Sequence, residues 1–129
     1  MAKKVLIIDD DPDFVTTTTI AVESGGYDVV SAPDGRSGLE AVAEEAPDLI
    51  VLDVMMPGMD GWEVCETLKE DEDTCGIPII MLTSVASHIK DTQYTREGGQ
   101  ATQADDYIPK PAEPAAILKA VRKLLGPEA

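Results

Sequence analysis

The chain has 129 residues, with 25 acidic against 10 basic side chains and a formal charge of −15. A domain of this size buries a proper core, and a composition of 43% hydrophobic and 27% charged residues is globular rather than disordered. The acidity argues against direct nucleic-acid binding, which needs a basic face for phosphates, and against an anionic membrane surface. It suits a partner with a basic patch, or a divalent cation.

The start, MAKKVLIIDD, meets acid after four apolar residues and is no signal peptide. No apolar run approaches the roughly 18 residues of a membrane span. Four apolar runs recur along the chain: VLII (5–8), DVVSA (28–32), DLIVLD (48–53) and IPIIML (77–82); ADDYIP (104–109) is a weaker fifth. Continuous rather than alternating apolarity predicts strands covered on both faces, as in a parallel sheet. Between them lie helical patterns. Asp11-Pro12 gives a cap and a first-turn proline for a helix over 12–24, ended by Gly25-Gly26. Its threonine-rich interior is intrinsically poor, so packing of Phe14, Val15, Thr18 and Val22 must hold it. A second helix presents Leu39, Val42 and Ala43. Asp60 and Glu63 form a capping-box pair before Val64, Cys65 and Leu68. The last helix, over 113–125, carries Ile117, Leu118, Val121, Leu124 and Leu125 on one stripe. Residues 84–103 are the least legible. Val85, Ile89 and Tyr94 are their large apolar anchors, and the expectation is a helix of about two to three turns followed by a polar loop. The two cysteines, Cys65 and Cys75, fit no metal or redox spacing and read as reduced thiols of a cytoplasmic protein.

Alternating strands and helices imply an α/β fold, an open, doubly wound parallel sheet with helices on both faces. Ligands of such sheets bind beyond the carboxyl ends of the strands, at a topological switch point. The acids sit there. Asp9 and Asp10 end the first strand and Asp53 the third, Thr83 ends the fourth, and Lys110 follows the fifth. Clustered carboxylates make a hard-oxygen site suited to Mg²⁺ or Mn²⁺ rather than zinc. A bound cation would make the stacked aspartates of IIDDDPD (7–13) tolerable.

Taken in order, IIDDD (7–11), LIVLDVMMPGMDG (49–61), MLTS (81–84) and DDYIPKP (105–111) resemble the receiver domain of two-component response regulators over nearly the whole chain. The resemblance implies a flavodoxin-like five-stranded sheet of order 2-1-3-4-5 with five helices. It implies that Asp53 is the phosphoacceptor, taking a phosphoryl group from a sensor histidine kinase or a histidine phosphotransfer protein. Asp10, Asp53 and the Met55 backbone carbonyl would bind Mg²⁺, with Asp9 acting through water. Lys110 and Thr83 would contact the phosphoryl group, Tyr107 would change rotamer as the Thr83 loop moves, and the Lys110–Pro111 bond would be cis.

The residues also have plainer readings. Asp11 is a helix cap, His88 a surface helix residue, and Trp62, Met56 and Met59 are packing residues. A Mg²⁺-dependent aspartyl-phosphate phosphatase is disfavoured because Met55 stands where such enzymes place a second acid. No GxxxxGK[ST] or GxGxxG marks a nucleotide site. A pseudo-receiver is disfavoured because every charged site residue is present. The expectation is one receiver domain over residues 1–129 without an output domain, signalling to an unknown downstream protein or through a phosphorelay. The alternative is a receiver fragment of a hybrid kinase or longer regulator. The stretch between Thr83 and Tyr107 is longer than is common, which leaves the usual fourth helix and its signalling face open.

Two positions tune the lifetime of the phosphoryl group in the family, and here both are apolar, Met55 and Val85. Shielding from water predicts a longer-lived acyl phosphate than in members with polar residues at both. Loss within seconds at neutral pH, followed by intact mass, would contradict this.

Overall fold

The computed structural model describes residues 2–56, 58–83 and 104–126. The elements run β1 (Lys4–Ile8), α1 (Pro12–Ser24), β2 (Asp28–Ala32), α2 (Gly35–Glu45), β3 (Leu49–Asp53), α3 (Gly61–Glu70), β4 (Ile79–Thr83), β5 (Asp106–Pro109) and α4 (Pro114–Leu125). The five strands are parallel in the order β2-β1-β3-β4-β5, a flavodoxin-like doubly wound sheet. The helix expected after Thr83, together with Val85 and His88, lies outside the described residues. The last described helix is therefore α4, and the expected count of five helices is met by four among the described residues.

Burial follows topology. β3 and β4 are buried along their whole lengths, whereas the edge strands β2 and β5 are mostly half-buried or exposed. Alternate residues of the inner strands feed two cores. Leu6, Ile8, Ile50, Leu52, Ile79 and Met81 pack with Val42, Val64, Cys65 and Leu68 beneath α2 and α3. Val5, Ile7, Leu49, Val51, Ile80 and Leu82 pack with Val22, Ile117, Ala120 and Val121 beneath α1 and α4. Each such side chain contributes about 1.5–3 kcal/mol.

Local chemistry sets the helix starts. Asp11 caps α1 by accepting from the Asp13 and Phe14 N–H groups, with Pro12 at the first helical position. Thr16 and Thr17 return their hydroxyls to the carbonyls of Pro12 and Asp13, which satisfies them without leaving the helix. Thr18 and Val22 are buried and Phe14 and Val15 half-buried, the stripe expected from spacing. Asp60 caps α3 by accepting from the Glu63 N–H at 2.9 Å.

Two helices differ from expectation in detail. On α2 the buried residues are Gly35, Gly38 and Val42. Ala43 is exposed, and Ala41 packs inward instead. Gly38 lies directly against Ile8, where a Cβ would collide with the isoleucine side chain. With Gly38 and Val42 on the face turned to the sheet, Ala43, five residues on from Gly38, falls about 140° around the helix and faces outward. On α4 the fully buried set is Ile117, Ala120 and Val121, with Leu118, Leu124 and Leu125 half-buried. Glu113 is the residue before its first turn. The far end of α4 is tied to the sheet by the Tyr27 hydroxyl, which donates to the Gly126 carbonyl at 2.7 Å, and by Lys3 Nζ, which donates to Leu125.

Thr18 Oγ1 is fully buried and has no partner among the described residues. An unsatisfied buried hydroxyl costs about 1–3 kcal/mol. Thr18→Val should therefore raise the unfolding free energy by about 1 kcal/mol in urea titrations. A loss of stability would show that the hydroxyl is satisfied.

Candidate phosphoacceptor site

The carboxyl ends of β1, β3, β4 and β5 converge on one rim, beside the point where the chain order reverses between β1 and β3. Asp9 directly follows β1, and its N–H continues the ladder by donating to the Ala32 carbonyl. Asp53 is the last residue of β3 and Thr83 the last of β4. Lys110 follows β5 and its N–H donates to the Thr83 carbonyl. The Lys110–Pro111 bond is cis.

These side chains meet. Carboxylate oxygens of Asp9, Asp10 and Asp53 lie within 4.8 Å of one another. Lys110 Nζ lies 3.0 Å from Asp9 Oδ2 and 3.4 Å from Asp53 Oδ1. Asp9 and Asp53 are buried, at 2% and 3% exposure, while Asp10 is open to solvent. Asp9 Oδ1 also accepts from the Asp11 N–H, and Asp53 Oδ1 from the Met55 N–H. Burial, and then the neighbouring Asp9 charge, push the Asp53 carboxyl from 3.8 up to about 6, with Lys110 and the Met55 N–H partly opposing. For Lys110, burial pulls downward but the two carboxylates outweigh it, and its ammonium is held above the usual lysine range.

With all three carboxylates ionised, one ammonium leaves the cluster with a charge of 1 − 3 = −2. A hard divalent cation has the charge and the ligand preference to match it. The donor set is all oxygen, two of the acids are buried, and the third faces solvent where an ion would enter. The site fits Mg²⁺.

The expected phosphoryl contacts are also close by. Thr83 is 1% exposed, and its Oγ1 has no partner among the described residues. Tyr107 is half-buried on β5, its ring centroid 6.3 Å from that of Trp62 at an interplanar angle of 39°. Trp62 therefore packs on the aromatic of β5. Met56 is buried and Met59 half-buried, whereas the Met55 side chain is 55% exposed at the rim.

Two contributions escape a reading of the sequence. Gly61, quoted within LIVLDVMMPGMDG, opens α3 against the acceptor. Its N–H donates to the Val54 carbonyl, and a Cβ there would drive into the Asp53 carbonyl oxygen. The Asp60-Gly61 pair is a turn signal, but the contact that demands glycine is long-range. Phe14, read as packing, presents its ring face to Lys110.

The response regulator receiver domain family matches residues 5–122. The chain belongs to this family. It is 41% identical over 125 residues to the alkaline phosphatase synthesis transcriptional regulatory protein PhoP of Bacillus subtilis, covering 97% of this chain and 49% of that protein. It is 43% identical over 122 residues to the DNA-binding dual master transcriptional regulator RpaA of Synechocystis, covering 95% and 48%. The chain thus spans about half the length of the curated relatives it matches. Among solved structures, the chemotaxis response regulator CheY4 of Vibrio cholerae superposes with a TM-score of 0.82 at 30% identity, covering 96% of this receiver domain and 99% of that chain. The signal receiver domain of a histidine kinase from Syntrophus aciditrophicus superposes with 0.84 at 34%, covering 96% and 90%. The chain is thus a signalling domain of two-component systems rather than a member of a conventional enzyme family. No helix among its described residues is long and apolar enough to cross a membrane.

The raised Asp53 value sets a pH dependence in metal-free protein. Folding then binds a proton more tightly than the unfolded chain does. The penalty is absent below pH 3.8, grows as pH rises through about 6, and is complete above it. In EDTA, Asp53→Asn should raise the melting temperature by a few degrees at pH 8 and by less at pH 4.5. A lower midpoint for the variant at pH 8 would contradict this.

Proposed function

We propose that this receiver domain is a phosphorylation-activated switch with Asp53 as its acceptor. The observation that carries the reading is the pairing of a buried, strand-ending carboxylate with an ammonium at 3.4 Å and two further acids. Asp53 attacks the phosphorus of a phosphohistidine on a histidine kinase or phosphotransfer partner. An Asp53 oxygen–phosphorus bond forms and the bond from phosphorus to imidazole nitrogen breaks, giving an acyl phosphate.

Positioning and charge neutralisation do the work. Asp10, Asp53 and the Met55 carbonyl would hold Mg²⁺, or Mn²⁺ in its place. When bound, the ion neutralises charge on the phosphoryl oxygens. Asp9 is the residue suited to act through water, since each of its oxygens already accepts a hydrogen bond, from Lys110 and from Asp11. Lys110, ion-paired with Asp53 at 3.4 Å, shifts to donate to a phosphoryl oxygen. Thr83 Oγ1, buried and without a partner among the described residues, donates to another. That contact draws the loop after β4 inward and favours a new Tyr107 rotamer. The domain thus catalyses its own phosphorylation and dephosphorylation, and has no other substrate.

Output runs through a protein contact or onward transfer of the phosphoryl group. An acidic surface supports a domain that does not itself touch nucleic acid or membrane, and two free thiols support a cytoplasmic location. One observation favours a second reading: the chain spans about half the length of both relatives, and RpaA is named as a DNA-binding regulator. On that reading these residues are the receiver portion of a longer regulator or hybrid kinase, and the chemistry at Asp53 is the same.

Incubation with Mg²⁺ and acetyl phosphate should add one phosphate to the parent by intact mass. Asp53→Asn should gain none, and excess EDTA should abolish labelling. Equal labelling of parent and variant would exclude Asp53, and no labelling of either would favour a pseudo-receiver.

A further inference from the structure

Among the described residues, three groups meet the Lys110 ammonium. Two are the carboxylates of Asp9 and Asp53, at 3.0 and 3.4 Å. The third is the face of Phe14, whose ring centroid lies 4.8 Å from Nζ. We infer that Phe14 is a positioning residue for phosphoryl transfer, its ring face holding the Lys110 ammonium at the acceptor. The inference rests on the reading of Asp53 as the acceptor.

The placement of the ring is built, not incidental. Asp9 Oδ1 accepts from the Asp11 N–H, and the Asp11 side chain accepts from the Phe14 N–H. The first turn of α1 is therefore fixed to the same acid that binds Lys110 from the other side. Asp9, Asp11, Phe14 and Lys110 form a closed circuit of contacts around the ammonium. The Phe14 ring is half-buried, continuous with the core beneath α1 and α4, and so cannot swing away without exposing apolar surface.

A lysine needs such a partner here. Its four-carbon stem is flexible and its ammonium strongly hydrated, so solvent competes for it. The side chain keeps 26% exposure. In the resting site the carboxylates draw it inward. Were a divalent cation held there and Asp53 converted to its acyl phosphate, the carboxylates' pull on Lys110 would weaken, whereas the ring's charge is the same throughout. A cation within about 6 Å of an aromatic centroid is attracted by the ring quadrupole, more strongly where water is partly excluded. Leucine matches the apolar character of the site but has no quadrupole. Tyrosine and tryptophan retain the face.

The test compares the parent with Phe14→Leu, Phe14→Tyr and Phe14→Trp. Rate constants with Mg²⁺ and acetyl phosphate are read by intact mass, and the Lys110 ε-methylene protons by NMR. Phe14→Leu should slow phosphorylation by about three- to tenfold, while tyrosine and tryptophan stay within about twofold of the parent. The ε-methylene protons should show an upfield ring-current shift in the parent and both aromatic variants, and lose it in Phe14→Leu. Leucine reacting at the parent rate, tyrosine and tryptophan reacting as slowly as leucine, or an unshifted resonance in the parent would each overturn the inference. Failure of the functional reading looks different: the parent itself would take up no phosphate, while the NMR arm would still report whether ring and ammonium meet.

Discussion

Two carboxylates, Asp9 and Asp53, lie buried at the end of a parallel sheet with a single ammonium, Lys110, serving both. Water is largely excluded there, so repulsion between the acids is stronger than it would be at an open surface. Most of the architecture works to keep that ammonium in place. β5 must pair with β4 for the Lys110 N–H to reach the Thr83 carbonyl. β1 must lie beside β3 for Asp9 and Asp53 to share one cation, and the strand order puts them side by side. Asp11, a helix cap in its own right, ties the first turn of α1 to Asp9. Every strand but the β2 edge delivers a residue to this rim.

The same arrangement keeps the resting site unsaturated. Among the described residues one positive charge faces three negative ones, and burial, followed by the neighbouring Asp9 charge, holds the Asp53 carboxyl above the ordinary aspartate range. On the proposed reading a divalent cation would offset that excess, and a phosphoryl group would bring back nearly two negative charges, so the site would pass between states of different electrostatic balance. Thr83 is buried at the end of β4, and Tyr107 on β5 packs against the core beneath α2 and α3, so on that reading a change at the rim would reach both strands.

Much of this was legible in the sequence, for physical reasons. Parallel strands buried on both faces must be written as unbroken apolar runs, and each of the five runs became a strand. Caps and breakers carry their own signal, so Asp11-Pro12 and Asp60-Gly61 marked true helix starts. Strand-terminal acids were legible because a parallel α/β sheet leaves its ligands one rim to occupy. What the sequence hid was side-chain contact at long range. Ala43 looked like core, but Gly38, lying against Ile8, and Val42 take the buried face of α2. Gly61 drew no separate reading in the sequence, yet the Asp53 carbonyl lies against it. Phe14 and Lys110 are 96 residues apart (110 − 14), and no local pattern links them.

Trp62 is the chain's one tryptophan, and its ring rests on Tyr107. Indole emission responds to the polarity and the neighbours of the ring, and here the neighbour is the aromatic of the strand that leads to Lys110. The protein therefore carries an intrinsic optical reporter on the side of the sheet away from α1. If Tyr107 turns as proposed, the indole's surroundings change with it, and the state of the buried rim could then be followed in the unlabelled protein.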